Sequence, residues 1–142
     1  NLLLDGIQDP GNLGTIIRIA DWFGIQNILC TNDTAELYNN KVVQSTMGSF
    51  VRTNIWYGDV VNDVLANTQL PVFGALLNGT SIYQQPKLKE GILVIGNEGK
   101  GIREQVLPFI TKAITIPKFG GAESLNAAVA AGIIVSHLIE TE

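Results

Sequence analysis

Five polar side chains lie where an α/β chain could do chemistry: Asn12, Arg18, Glu98, Ser124 and Asn126. Glu98 sits inside Gly96-Asn97-Glu98-Gly99-Lys100-Gly101, directly after the apolar run Leu93-Val94-Ile95. The glycine spacing is not G-x-G-x-x-G, and the turn lacks the spacer and hydroxyl of a phosphate-binding P-loop. A carboxylate in the turn would repel a triphosphate, so a neutral or cationic ligand suits it better. Ser124 and Asn126 follow Ile116-Pro117-Lys118-Phe119-Gly120-Gly121 and precede an Ala- and Ile-rich stretch. There they either cap a helix or face a ligand. Asn12 and Arg18 follow Asp5-Gly6-Ile7-Gln8-Asp9-Pro10-Gly11 on a second helical pattern. Asn12 is either that helix's N-cap or a ligand contact. Arg18 is either a solvated residue, a partner of Asp21, or a site cation. Glu98 also reads as an ordinary turn carboxylate, and the lone His137 as structural.

The elements that must position these residues alternate along the chain, which predicts an α/β domain with a mostly parallel sheet flanked by helices. Strands are expected at 2–5, 27–30, 51–56, 71–77, 91–95 and 112–116. Helices are expected at 12–23, 37–45, 59–67, 103–109 and 126–139. In the first helix Leu13, Ile16, Ile17, Ala20 and Phe23 share one face, while Ile19 and Trp22 lie off it. The last helix is apolar nearly all round, which predicts burial on a second side against a partner subunit, hence a homodimer. The glycine turns follow strands and so gather at the carboxyl ends of the sheet, where open α/β sheets bind ligands.

Bulk properties bound the rest. The 142 residues suit one domain spanning 1–142, with 46% hydrophobic and 15% charged residues. No apolar run approaches a membrane span of roughly 18 residues. The single Cys30 has no disulfide or metal-site partner, and no metal is expected. A reducing cytoplasm fits this composition. The net charge of −4 does not favour nucleic acid. Its distribution matters more. Residues 87 to 118 carry Lys87, Lys89, Lys100, Arg103, Lys112 and Lys118 around the glycine loops, a set that could follow RNA phosphates.

The three segments, in this order and across nearly the whole chain, resemble the SpoU/TrmH family. These are RNA ribose 2′-O-methyltransferases of the knotted SPOUT class. The resemblance implies a C-terminal deep trefoil knot, S-adenosylmethionine as cofactor, a dimer, and a structured rRNA or tRNA substrate. It implies that Asn12, Arg18, Glu98, Ser124 and Asn126 serve catalysis. It places the cofactor against Ala75, Leu76, Gly96, Asn97, Gly99, Ile116, Lys118, Ser124 and Leu125. Lys118 stands where the family often has an apolar residue. The family also often carries a small RNA-binding domain before this one. The chain opens on Asn1 and is expected to be part of a longer protein lacking that domain here. Two rivals stay open: a related SPOUT enzyme that methylates a base, and a catalytically silent RNA-binding domain.

Overall fold

A single sheet organises the chain. The computed structural model describes residues 1–140, apart from the side chain at position 50. The expected limit at 142 lies outside the described residues. Six strands are β1 (Leu2–Asp5), β2 (Asn27–Thr31), β3 (Asn54–Gly58), β4 (Val72–Ser81), β5 (Ile92–Gly96) and β6 (Lys112–Thr115). Their order is β3-β2-β1-β5-β4-β6, and every paired neighbour runs parallel. The expected parallel α/β architecture is therefore present.

The central position of β1 explains its sequence. Leu2, Leu3 and Leu4 form an unbroken apolar run because both faces of the strand are covered. Leu2 and Leu4 join the core under α1 (Pro10–Trp22) and α3 (Ala127–Leu138), whereas Leu3 joins a second core on the opposite face. That second core contains Val60, Leu65, Val94, Ile102 and Val106. α1 buries Leu13, Ile16, Ile17 and Ala20 and packs against both α2 (Asn40–Thr46) and α3. Ile19 reaches the other wall, where a Cβ on Gly132 of α3 would lie 3.4 Å from its Cδ1. Trp22 is 84% exposed, as its off-face position predicts. Cys30 lies buried in the strand, and burial pushes its thiol up to about 12.

Several boundaries differ from expectation for local reasons. The expected helix at 103–109 is instead a turn ending in a 3₁₀ segment, Leu107–Phe109. Pro108 has no N–H to continue a helix, and the Arg103 N–H donates to the Asp5 carboxylate instead. The helix at 59–67 winds as a π-turn over Val61–Leu65, with the Ala66 N–H donating to the Val61 carbonyl. The strand expected at 51–56 begins only at Asn54, because Ser49–Val51 forms a 3₁₀ turn after the left-handed Met47 and Gly48.

The largest departure is in β4, which runs to Ser81 rather than ending at Leu77. Ala75 and Thr80 both pair with Ile114 of β6, so the backbone between them loops out of the ladder. Gly79 makes the return possible: a Cβ there would lie 2.5 Å from the Ile114 backbone nitrogen.

The chain leaves β6 at the sheet edge, crosses through residues 116–126 and enters α3. The end of α3 meets the connection between β4 and β5. The Leu88 N–H donates to the Leu138 carbonyl at 2.6 Å, and the Glu140 N–H donates back to the Leu88 carbonyl at 3.2 Å. The Lys87 Nζ donates to the His137 carbonyl at 2.6 Å. The His137 ring stands edge-on to Tyr83, in line with the structural role expected for it.

Candidate active site

The first helix starts at Pro10, two residues earlier than its apolar pattern suggests. Asp9 is the N-cap, its Oδ1 accepting from the Asn12 N–H at 2.9 Å, and Pro10 opens the helix. The N-cap alternative for Asn12 is thereby excluded. Its side chain is released for other partners.

Those partners come from the two other segments. The Asn126 Nδ2 donates to the Asn12 Oδ1 at 2.9 Å. The Asn12 Nδ2 approaches the Glu98 Oε2 at 3.5 Å, the long limit of a hydrogen bond. Glu98 itself is held by the backbone: the Gln8 N–H donates to Oε1 at 3.0 Å and the Asp9 N–H to Oε2 at 2.7 Å. Partial burial pushes its carboxyl up. The N–H groups of Gln8 and Asp9, with Asn12, more than offset this and leave it below its ordinary value. Glu98 thus stays ionised at neutral pH and is not a proton donor there.

Asn126 has two duties. It is the N-cap of α3, its Oδ1 accepting from the Ala128 and Val129 N–H groups at 2.9 and 3.1 Å. With the oxygen committed to the helix, the amide nitrogen must point outward, toward Asn12. The cap alternative for Asn126 is realised, and its amide nitrogen is in addition bonded to Asn12.

The glycine turn is organised from within. The Asn97 Nδ2 donates to the Gly6 carbonyl at 2.7 Å, and its Oδ1 accepts from the Gly99 and Lys100 N–H groups. All of these bonds hold the loop, and the Asn97 backbone is held too, its N–H and C=O both paired with Gly101 at 3.0 Å, so Asn97 serves the turn. A Cβ on Gly96 would lie 2.4 Å from the Gly101 carbonyl carbon. The turn's own close approach, rather than a ligand's, demands glycine there.

The other expected residues are placed apart from this relay. Arg18 is exposed on α1 and makes no ion pair among the described residues. Asp21 is instead taken by Arg52 at 2.7 Å, which removes the pairing alternative for Arg18. Ser124 and Lys118 are exposed in the loop before α3, Leu125 is 50% exposed, and Ile116 is half-buried against the core. Ala75 and Leu76 enter the looped-out part of β4. The expected basic cluster is thinner than its sequence. Lys87 binds a carbonyl, Lys89 lies 3.9 Å from Glu140, and Arg103 is held by two carboxylates.

The ion pairs that Arg103 makes with Asp5 and Asp33 were not anticipated. Asp5 is fully buried and accepts from the Arg103 backbone N–H and Nε at 2.7 and 2.8 Å. The Arg103 Nη1 reaches Asp33 at 2.9 Å. These residues line a cleft of about 570 Å³ at the carboxyl edge of the sheet, beside the relay. A larger cleft of about 750 Å³ lies at the opposite edge and touches none of the candidate residues. The available signal was an aspartate ending a wholly apolar strand, since a buried charge requires a partner.

The SpoU rRNA Methylase family matches residues 1–136, the span that holds all three segments. The chain belongs to this family. Among SpoU relatives, it is 39% identical over 140 residues to the 23S rRNA (guanosine(2553)-2′-O)-methyltransferase RlmP of Bacillus subtilis, covering 96% of this chain and 56% of that protein. A solved TrmH-family protein of Porphyromonas gingivalis superposes with a TM-score of 0.89 at 43% identity, covering 97% of this chain and 58% of that one. The SpoU methyltransferase AviRb of Streptomyces viridochromogenes, solved with AdoMet, superposes with a TM-score of 0.88 at 29% identity, covering 96% and 55%. The chain therefore spans a little over half the length of these SpoU relatives.

Proposed function

We propose that this chain is the catalytic domain of an S-adenosylmethionine-dependent RNA ribose 2′-O-methyltransferase acting on rRNA or tRNA. The observation that carries the reading is the Glu98, Asn12 and Asn126 relay, which joins three sequence segments at the carboxyl ends of the sheet. Such a relay presents fixed amide dipoles to sugar hydroxyls without reading any base.

The loops beside it suit the cofactor. Residues 117–125 make no backbone hydrogen bond among the described residues, so their N–H and C=O groups are free for an adenine edge. Leu76, Leu125 and Ile116 supply apolar walls. Gly96 and Gly99 would line the cofactor from the turn, whose shape Asn97 holds through its bonds to Gly101 and Gly99, and Ser124 and Lys118 would form the polar rim. When bound, S-adenosylmethionine supplies a methyl group carried on a sulfonium.

This chain's residues do the rest. Asn12 and Asn126 hold the ribose in line with that methyl group. Glu98 stays ionised and orients Asn12. Arg18 binds an RNA phosphate and stabilises the developing alkoxide. An arginine does not give up its proton in a protein, so the hydroxyl proton leaves to phosphate or water. Ser124 shapes the cofactor loop.

The same reading includes a homodimer through α1 and α3, supported by Trp22 and Val129, which are apolar and exposed at 84% and 51%. It includes the trefoil knot, supported by the way the end of α3 pairs with Leu88 in the β4–β5 connection. It places the protein in the cytoplasm, supported by the bacterial rRNA-modifying relatives. No helix among the described residues is long and apolar enough to cross a membrane, and no group of three or more potential metal ligands is found among them.

Calorimetric titration with S-adenosylmethionine tests the cofactor reading. Binding by the parent and its loss in Leu125→Arg are expected. A folded parent that does not bind overturns the enzyme reading and leaves an RNA-binding domain. A dilution series in sedimentation tests the dimer, which monomer at all concentrations would contradict.

A further inference from the structure

Glu98 meets the Gln8 and Asp9 N–H groups only if two loops far apart in sequence keep one register. One loop is 6–9, between β1 and α1; the other is the glycine turn after β5. Two contacts set that register. The Asn97 Nδ2 donates to the Gly6 carbonyl on one side of Glu98. On the other, Arg103 closes on Asp5 through its backbone N–H, Nε and Nη2, the last at 2.7 Å. Between these anchors stand Gly99 and Gly101, the latter at φ +73°, which give the turn little stiffness of its own.

A third loop is tied in. The Thr31 hydroxyl accepts from the Gly6 N–H at 2.9 Å and donates to Asp33 at 2.7 Å, and Asp33 also takes Arg103. The carboxyl ends of β1, β2 and β5 are thereby locked around one guanidinium.

Packing alone does not call for this arrangement. Asp5 is fully buried, and apolar residues of similar volume usually stabilise as well as a buried ion pair does. The best-attested role of such a pair is to fix a register. We infer that Asp5 and Arg103 are positioning residues for methyl transfer: their buried ion pair holds the glycine turn where Glu98 can grip the β1–α1 loop and orient Asn12. This rests on the relay reading proposed above. It assigns Arg103 to the site's framework and not to RNA phosphate.

The test reads Glu98 directly, by carbon-13 NMR titration of glutamate side-chain carboxyls in the parent, Asp5→Asn and Arg103→Lys. Replacing Asp5 by Asn removes a negative charge, which alone would lower the Glu98 midpoint. Loss of the Gln8 and Asp9 N–H contacts would raise it. A rise in Asp5→Asn is expected, with a smaller rise in Arg103→Lys, which keeps the charge but not the fork. A second arm measures methyl transfer to RNA. Asp5→Asn should lower kcat about tenfold in the parent background and have little further effect in Glu98→Gln, since residues acting through one group are non-additive. An unchanged or lowered Glu98 midpoint, or losses that simply multiply, overturns the inference. If Asp5→Asn does not fold, Arg103→Lys decides alone. If the parent transfers no methyl group, the enzyme reading fails, while the Glu98 titration still decides the positioning claim.

Discussion

The Asn126 amide donates to the Asn12 side-chain oxygen at 2.9 Å across 114 positions of sequence. The same Asn126 caps α3 through its oxygen. One residue therefore fixes where the last helix starts and what the first helix presents.

These two duties separate by substitution. Asn126→Asp keeps a capping oxygen and removes the donor to Asn12. Its thermal stability should stay close to the parent, while methyl transfer falls about 10²-fold. Asn126→Ala should lose that activity and also about 1 kcal/mol of stability. Melting curves beside turnover check both. Full turnover in Asn126→Asp would remove the relay from the chemistry.

Glu98 predicts an acid-side change of defined sign. Its folded value lies below the ordinary 4.5, so its stabilising contribution is full above about 4.5 and is lost as pH falls through the lower folded value. Denaturant midpoints measured from pH 6 downward should fall faster in the parent than in Glu98→Gln. Glu98→Gln should itself cost about 0.5–1.5 kcal/mol at neutral pH, because an exposed charge-assisted contact to two N–H groups is weakened.

Arg18 has no partner within the described chain, so its removal should leave folding intact. Arg18→Ala should melt within about 0.5 kcal/mol of the parent and lose methyl transfer, while still binding S-adenosylmethionine. Arg18→Lys should recover only part of the rate, because an ammonium lacks the bidentate fork. Near-full turnover in Arg18→Lys would contradict a bidentate role.

Cys30 should be inert while the chain is folded. Burial raises its thiol from 9.0 to about 12, so the thiolate is scarce at pH 8. The unfolded chain ionises earlier. The stability this thiol contributes is whole below about 9 and is lost as pH rises from there through 12. Alkylation at pH 8 should label Cys30 only after denaturant is added, and rapid labelling of folded protein would contradict its burial.

Gly79 and Gly96 should not tolerate a methyl group. Each Cβ would lie within about 2.5 Å of backbone, which cannot yield as a flexible side chain does. Gly96→Ala should lower stability by about 1–3 kcal/mol and weaken cofactor binding with it. Unchanged melting in Gly96→Ala would show that the turn is not closed by this contact.

Much of this fold was legible because its signals are local. The apolar run at Leu2–Leu4, the helical stripe from Leu13 to Ala20 and the glycines Gly6 and Gly96 at the ends of β1 and β5 all follow from short-range pattern. What failed was equally physical. The looped backbone in β4 depends on Gly79 passing the Ile114 backbone, a contact between strands 35 positions apart. The expected helix at 103–109 yields to Pro108 and to the pull of Asp5 on the Arg103 N–H. In the site, residue types at Asn12, Glu98 and Asn126 were readable. Their order was not: Asp9 displaced Asn12 as the cap, and only the folded chain brings Asn12 between Glu98 and Asn126.

The most direct test of the account is transfer of labelled methyl groups from S-adenosylmethionine into RNA, followed by complete alkaline hydrolysis. A methylated ribose hydroxyl cannot attack its own phosphate, so the label should appear in alkali-stable dinucleotides. Label in mononucleotides would place the methyl group on a base and contradict the ribose assignment drawn from Asn12, Glu98 and Asn126.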